Sequence, residues 1–182
     1  MGYSASIIPP RNSPGTPPVF SLVGHSGAGK TTLIEKLLHE LTGRGLRVAT
    51  IKHAHHRVLL DTPGKDSWRY KQAGASISML VTNDQLQLVA DAVEQRAPQQ
   101  LAQRFLSEVD LVLAEGFSHT AGAKIEVLRR VCSSVPRCSL TDGLIALVTD
   151  SDEVYPQLPH FALDDITGIV QFMLDYRMPS ND

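Results

Sequence analysis

The stretch LVGHSGAGKTTLIEKLLHEL, Leu22 to Leu41, decides the fold. An apolar run starting at Val19, VFSLVG, ends on Gly24, and further glycines follow at 27 and 29. Leu33, Ile34, Leu37, Leu38 and Leu41 then recur at the spacing of one helical face. The pattern predicts a buried strand, a flexible turn and an amphipathic helix beginning near Lys30. Glycines in TGRG (42–45) are stop signals for that helix, and LRVATI (46–51) reads as a second strand. Strand, helix and strand in this order make a βαβ unit with parallel strands.

Working outward, DTPGKDSWRYKQAGA (61–75) predicts a turn at Pro63-Gly64 and a short helix from about Asp66 to Gly74. SISMLV (76–81) and QLQLVA (85–90) predict two strands joined by a hairpin-like turn in TNDQ. Gln99 to Ser107 suits a helix, while VDLVLAEGF (109–117), AKIEVLR (123–129) and GLIALVTD (143–150) read as strands. Apolar residues at helical spacing from Leu163 to Tyr176 predict a last helix. The sum is a three-layer α/β fold with a mainly parallel sheet and one antiparallel hairpin. Residues 1–18 hold five of the eleven prolines and no periodicity, so they are read as a disordered tail, with a single domain over 19–178.

The 182 residues suit one domain, and 42% apolar with 20% charged residues is ordinary globular composition. A net charge of -2 gives no electrostatic case for a nucleic-acid partner. No apolar run approaches the ~18 residues of a membrane span, and the N-terminus lacks a signal-peptide core, which predicts a cytoplasmic protein with no membrane partner. Cys132 and Cys138 have neither the spacing of a redox pair nor a second pair to complete a zinc site, so both are expected as ordinary thiols.

Gly24-His25-Ser26-Gly27-Ala28-Gly29-Lys30-Thr31 fits G-x-x-x-x-G-K-[ST] at every constrained position, with Thr32 following. Glycines let backbone N–H groups curl around a phosphate, and the helix that follows turns its positive end to the same anion. The Lys30 ammonium can reach the β- and γ-phosphates of a nucleotide, and the Thr31 hydroxyl can ligate Mg²⁺. The fold expected is therefore that of a P-loop NTPase.

A second acid should complete the Mg²⁺ site. Asp110 stands at the entrance of its strand, roughly 16 Å from Glu115 at ~3.3 Å per residue, whereas ligands of parallel sheets bind at the carboxyl ends. Glu115 is the better candidate; the alternative is a solvated carboxylate at a strand exit. Asp61 is the other candidate metal ligand, in a switch-like loop, or else an ordinary turn residue. The run IKHAHHR (51–57) gathers Lys52, His53, His55, His56 and Arg57. His53 and His55 on one side could suit a transition metal, but an anion-facing loop is the preferred reading. Lys65, Asp66 and Arg69 either extend that polar surface or form a solvated helix start.

GHSGAGKTTLIEKLL, VATIKHAHH, DTPGKDSWR, QAGA and LVLAEGF, in this order and spacing, resemble the molybdopterin-guanine dinucleotide biosynthesis adaptor (MobB) family. DTPGKDSWR with AEGF is the particular part, and the resemblance runs from Val19 to Tyr176. It implies a GTP-binding homodimer with weak intrinsic hydrolysis. It also implies association with the guanylyltransferase that joins GMP to molybdopterin, and raises the question of whether molybdopterin itself touches the chain. Carried across, the phosphate loop is Gly24 to Thr32, the switch-like acid Asp61 and the strand acid Glu115. The N-K-x-D tetrad that reads guanine in many GTPases is missing. Asp150, at the end of LIALVTD, is the candidate guanine reader, able to accept from guanine N1–H and the exocyclic amine.

Two other functions compete. A small metabolite kinase needs an arginine-bearing lid, and Arg96, Arg104, Arg129 and Arg130 are scattered without one. A metallochaperone-type GTPase would use the histidine run. With no evident water-orienting glutamine or arginine finger, hydrolysis by the isolated chain should be slow, below about 1 s⁻¹.

Overall fold

The computed structural model describes residues 16–54, 58–91, 97–151 and 154–176. Along the chain the elements are β1 (Val19–Val23), α1 (Lys30–Gly43), β2 (Val48–Lys52), α2 (Asp66–Gln72), β3 (Ile77–Val81), β4 (Leu86–Ala90), α3 (Pro98–Phe105), β5 (Leu111–Glu115), β6 (Lys124–Leu128), β7 (Leu144–Thr149), β8 (His160–Phe161) and α4 (Ile166–Asp175). They divide into two compact units: Ala54–Arg96, and the described residues on either side of it.

The flanking residues build a six-stranded sheet in the order β2-β5-β1-β6-β7-β8, with every neighbouring pair parallel. Period-two alternation sorts β1 between two faces. Phe20 and Leu22 enter a core with Leu33, Leu37 and Leu41 of α1 and Ile169, Val170 and Met173 of α4. Val19 faces the other way, with Val112, Ala114 and Ala102 of α3. This is the three-layer α/β arrangement that the pattern predicts.

Packing, not capping, holds α1. Its N-cap is Gly29, which makes no side-chain cap. A side-chain cap is worth only about 1 kcal/mol, whereas each fully buried leucine contributes about 1.5–3 kcal/mol. Leu37 and Leu41 are both 0% exposed. The first turn can thus leave its amides without a side-chain acceptor at little cost to the helix.

Two boundaries and one strand are among the differences from the sequence reading. Pro17 is buried and the Pro18 carbonyl accepts from the Val112 amide at 2.9 Å, so the sheet begins inside the segment read as tail. Proline lacks a donor but keeps its acceptor, which suffices at the start of a strand. The last helix starts at Ile166, not Leu163, because Asp165 caps it by accepting from the Gly168 amide at 3.0 Å. The two-residue β8 is too short to leave a pattern. Residues 1–15 of the predicted tail lie outside the described residues. Among the described residues no helix is long and apolar enough to cross a membrane.

The second unit is the predicted hairpin with its short helix. β3 and β4 pair antiparallel, with Val81 opposite Leu86 beside the turn. The Thr82 hydroxyl donates to Asp84 Oδ1 and accepts from the Gln85 amide, closing that turn. Lys71 Nζ ties α2 to the strand ends, donating to the carbonyls of Ala75 and Ser76 and to Asp91 Oδ1 at 2.6, 2.9 and 2.8 Å. Ile77, Met79, Leu80, Val81 and Leu86 are all exposed.

Candidate functional site

The loop between β1 and α1 has a shape only glycine permits at two places. Gly24 has φ +136°, and a Cβ there would lie 2.4 Å from the Val127 carbonyl oxygen of β6. Gly29, at φ +97°, turns the chain into α1. His25 is half-buried with Nε2 3.1 Å from the Val135 carbonyl, Ser26 and Gly27 are exposed, and Ala28 is buried. Thr31 and Thr32 open the helix on its exposed side.

Lys30 folds back over this loop, its Nζ donating to the carbonyls of Gly24 and His25 at 3.0 and 2.8 Å. Burial pushes its ammonium below the ordinary lysine range; the Glu115 carboxylate opposes that shift, and Arg137 and Lys52 add to it. Lys30 Nζ thus lies among backbone carbonyl dipoles with part of its solvation removed, which a bound anion would replace.

Glu115 ends β5 beside Leu22 of β1, at the carboxyl edge of the sheet. It accepts from Thr31 Oγ1 through Oε2 at 3.0 Å and pairs through Oε1 with Lys52 Nζ at 3.3 Å. The structure thus brings together Lys30, Thr31 and Glu115. A hydroxyl and a carboxylate this close form a hard-oxygen set that fits a small divalent cation retaining most of its waters. Asp110, at the opposite end of β5, is spent on Arg47, whose Nη2 lies 3.1 Å from its Oδ1.

The remaining candidates make other contacts. Asp61 belongs to the second unit, where Oδ1 accepts from the Thr62 amide and the Ser67 hydroxyl at 2.7 and 3.2 Å; its Oδ2 is buried without a hydrogen bond among the described residues. Lys65 precedes α2, and Asp66 pairs with Arg69 at 3.5 Å within it. Asp150 lies one residue beyond β7, exposed, with Oδ1 accepting from the Arg130 amide at 2.9 Å. The His53 ring packs on Phe117 with centroids 5.1 Å apart, while His55, His56 and Arg57 lie outside the described residues. Among the described residues no three His, Cys, Asp or Glu side chains converge.

Two residues to which the sequence reading gave no role at the loop lie beside it. Glu126 of β6 is 0% exposed, and its carboxylate accepts from the amides of Arg137 and Cys138 at 2.5 and 2.9 Å. Burial raises its pKa, although the two amides pull the other way. The alternating pattern of AKIEVLR placed a glutamate in a strand but could not show that both faces of that strand are covered. The other is Arg129, one residue past β6. It lines a cavity of about 210 Å³ with Gly29, Thr32 and Lys36. The cysteines are free: Cys132 is exposed and Cys138 buried. Burial and the Glu126 charge push the Cys138 thiol up to about 11, which keeps it protonated and unreactive at neutral pH.

Comparison with known proteins converges on one family. A family model described as molybdopterin guanine dinucleotide synthesis protein B matches residues 19–150. The molybdopterin-guanine dinucleotide biosynthesis adapter protein of Haemophilus influenzae is 38% identical over 155 residues, spanning 85% of this chain and 84% of its own. The Escherichia coli protein of the same name is 31% identical over 167 residues, spanning 90% and 95%. The crystal structure of Bacillus subtilis MobB superposes with a TM-score of 0.66 at 29% identity, covering 86% of this chain and 96% of that one.

Proposed function

This chain belongs to the family of molybdopterin guanine dinucleotide synthesis protein B, and on that premise we propose that it is a GTP-binding adaptor for the making of molybdopterin guanine dinucleotide. It assists the guanylyltransferase that joins GMP to molybdopterin, and hydrolyses GTP slowly by itself. The observation that carries the nucleotide part is Lys30 folded across the 24–31 loop beside the Thr31–Glu115 pair. Loop amides and the first turn of α1 bind the phosphate tail, and Lys30 neutralises its charge. Thr31 and Glu115 would hold Mg²⁺, which screens the phosphates when bound. Asp150 accepts from the Watson–Crick donors of guanine.

Calorimetric titration with GTP and ATP, with and without Mg²⁺, tests this reading. GTP should bind more tightly than ATP, and Mg²⁺ should strengthen binding. Glu115→Gln is expected to remove about tenfold of the Mg²⁺ effect, the value of one charge-assisted contact. Asp150→Asn should narrow the GTP–ATP gap. Adding the chain to a guanylyltransferase assay should raise product formation; absence of any GTP binding, or of any effect on the transferase, would remove the corresponding half of the proposal.

The exposed apolar hairpin supports a homodimer. A lone two-stranded sheet is marginal in water, and Val81 and Leu86 stand 67% and 66% exposed as a facing pair. A second copy covers this surface. Sedimentation analysis should find a dimer that Val81→Lys with Leu86→Lys converts to a folded monomer, and an unchanged dimer in that variant would place the interface elsewhere.

A further inference from the structure

We propose that the 210 Å³ cavity beside α1 takes the purine of the nucleotide, and that Arg129 reads its acceptor edge. This rests on the nucleotide reading above and names a subsite that the motif does not contain.

The cavity starts where the phosphate loop ends, since Ala28 and Gly29 form part of its wall. A nucleoside whose phosphates sit on that loop has this cavity next to it. Its floor is apolar, from Leu33, Val127 and Leu163. Such a floor suits a flat heterocycle and offers nothing to a triphosphate. Leu33 and Val127 are held in the main core, 4% and 1% exposed, so the floor is rigid.

Arg129 is the cation on this wall that has an unmet need. Its Nε is buried and makes no hydrogen bond among the described residues. Its Nη1 lies 3.9 Å from where a Cβ on Gly29 would stand, so the guanidinium reaches the loop end of the cavity. Nη1, at that end, is the donor that an acceptor in the cavity would meet. Guanine presents O6 and N7 as two adjacent acceptors that match an arginine fork. Adenine keeps N7 but puts an amino donor at the other position, opposed to the guanidinium. Arg129 also sits one position past Leu128, which is the register partner of Thr149, so Asp150 is its counterpart on the neighbouring strand. Asp150 accepts from the Arg130 amide through Oδ1. One side chain thus addresses the O6/N7 edge and the other the Watson–Crick edge.

The test compares GTP, 7-deaza-GTP (which lacks only the N7 acceptor), ATP and tripolyphosphate by calorimetry with Mg²⁺. The unmodified protein should bind GTP about tenfold more tightly than 7-deaza-GTP, the discrimination of a bidentate arginine. Arg129→Met should bring that ratio to about one while changing tripolyphosphate affinity less than twofold. Equal binding of GTP and 7-deaza-GTP by the unmodified protein overturns the assignment without any variant having to fold. A ratio retained in Arg129→Met also overturns it, as does an equal loss of tripolyphosphate, which would make Arg129 a phosphate ligand. If the unmodified protein binds neither tripolyphosphate nor GTP, the nucleotide reading itself fails; if tripolyphosphate binds and the base ratios are flat, only this subsite fails.

Discussion

Lys30→Ala is expected to weaken GTP binding by at least about 100-fold while leaving the free protein folded. The Lys30 ammonium lies 3.0 and 2.8 Å from the carbonyl oxygens of Gly24 and His25, held above the loop amides. Two charge-assisted contacts to phosphate are worth about 1.5–3 kcal/mol each, and every 1.4 kcal/mol is tenfold in affinity. Even the lower figure gives about 100-fold. The sign of the pH effect is fixed by burial, which depresses the Lys30 pKa from its usual 10.5. A depressed lysine favours the fold above that unfolded value, and the contribution is lost as pH falls through the folded value. Near neutrality the free protein therefore carries a charged lysine at some cost, and Lys30→Ala should shift its melting temperature by less than about 4 °C. Bound phosphate favours the charged form, so GTP affinity of the unmodified protein should decline as pH rises through the lowered Lys30 value. The variant should show no such decline. Calorimetry that finds Lys30→Ala within threefold of the unmodified protein would remove the lysine from the site.

Glu126→Ala should be the most destabilising single change near the site, at about 2–5 kcal/mol in urea unfolding. The carboxylate is fully buried and accepts from two backbone amides, those of Arg137 and Cys138, so its removal leaves both without an acceptor. The Cys138 amide is buried and the Arg137 amide partly so, and an orphaned buried amide costs about 1–3 kcal/mol. The segment from Arg129 to Cys138 is tied to β6 by this one side chain, and His25 of the phosphate loop rests on Val135 within it. GTP affinity should consequently fall along with stability. Burial raises the Glu126 pKa above its usual 4.5. A raised carboxyl contributes its full stability below that unfolded value and loses it as pH climbs through the folded one. The deficit of Glu126→Ala against the unmodified protein should thus be largest near pH 4.5 and shrink as pH rises, then level off. A deficit that grows with pH over the same range would contradict a buried carboxylate that prefers its proton.

Much of the molecule is legible along the chain because its signals are local. Leu33, Leu37 and Leu41 mark a helix by spacing alone, and the short apolar runs mark strands bounded by glycine. The preference for Glu115 over Asp110 needed only the strand rise and the rule that parallel sheets bind at their carboxyl ends; in the structure Glu115 accepts from Thr31 Oγ1. Glu126 and Arg129 were not legible, since their roles depend on β6 lying beside β1. Nothing within AKIEVLR announces that neighbour.

What the sequence by itself determined is the glycine-rich turn at 24–31, the strands and helices other than β8, and the family, because each is written in contiguous residues whose backbone geometry follows from their own chemistry. What only the tertiary structure decided is which side chains share a site. Strand order in the sheet, β5 and β6 on either side of β1, carries Glu115 to Thr31 and sets the Val127 carbonyl of β6 against Gly24. Pairing between parallel strands is long-range, and residues far apart in the chain acquire a common chemistry only when the sheet has placed them side by side.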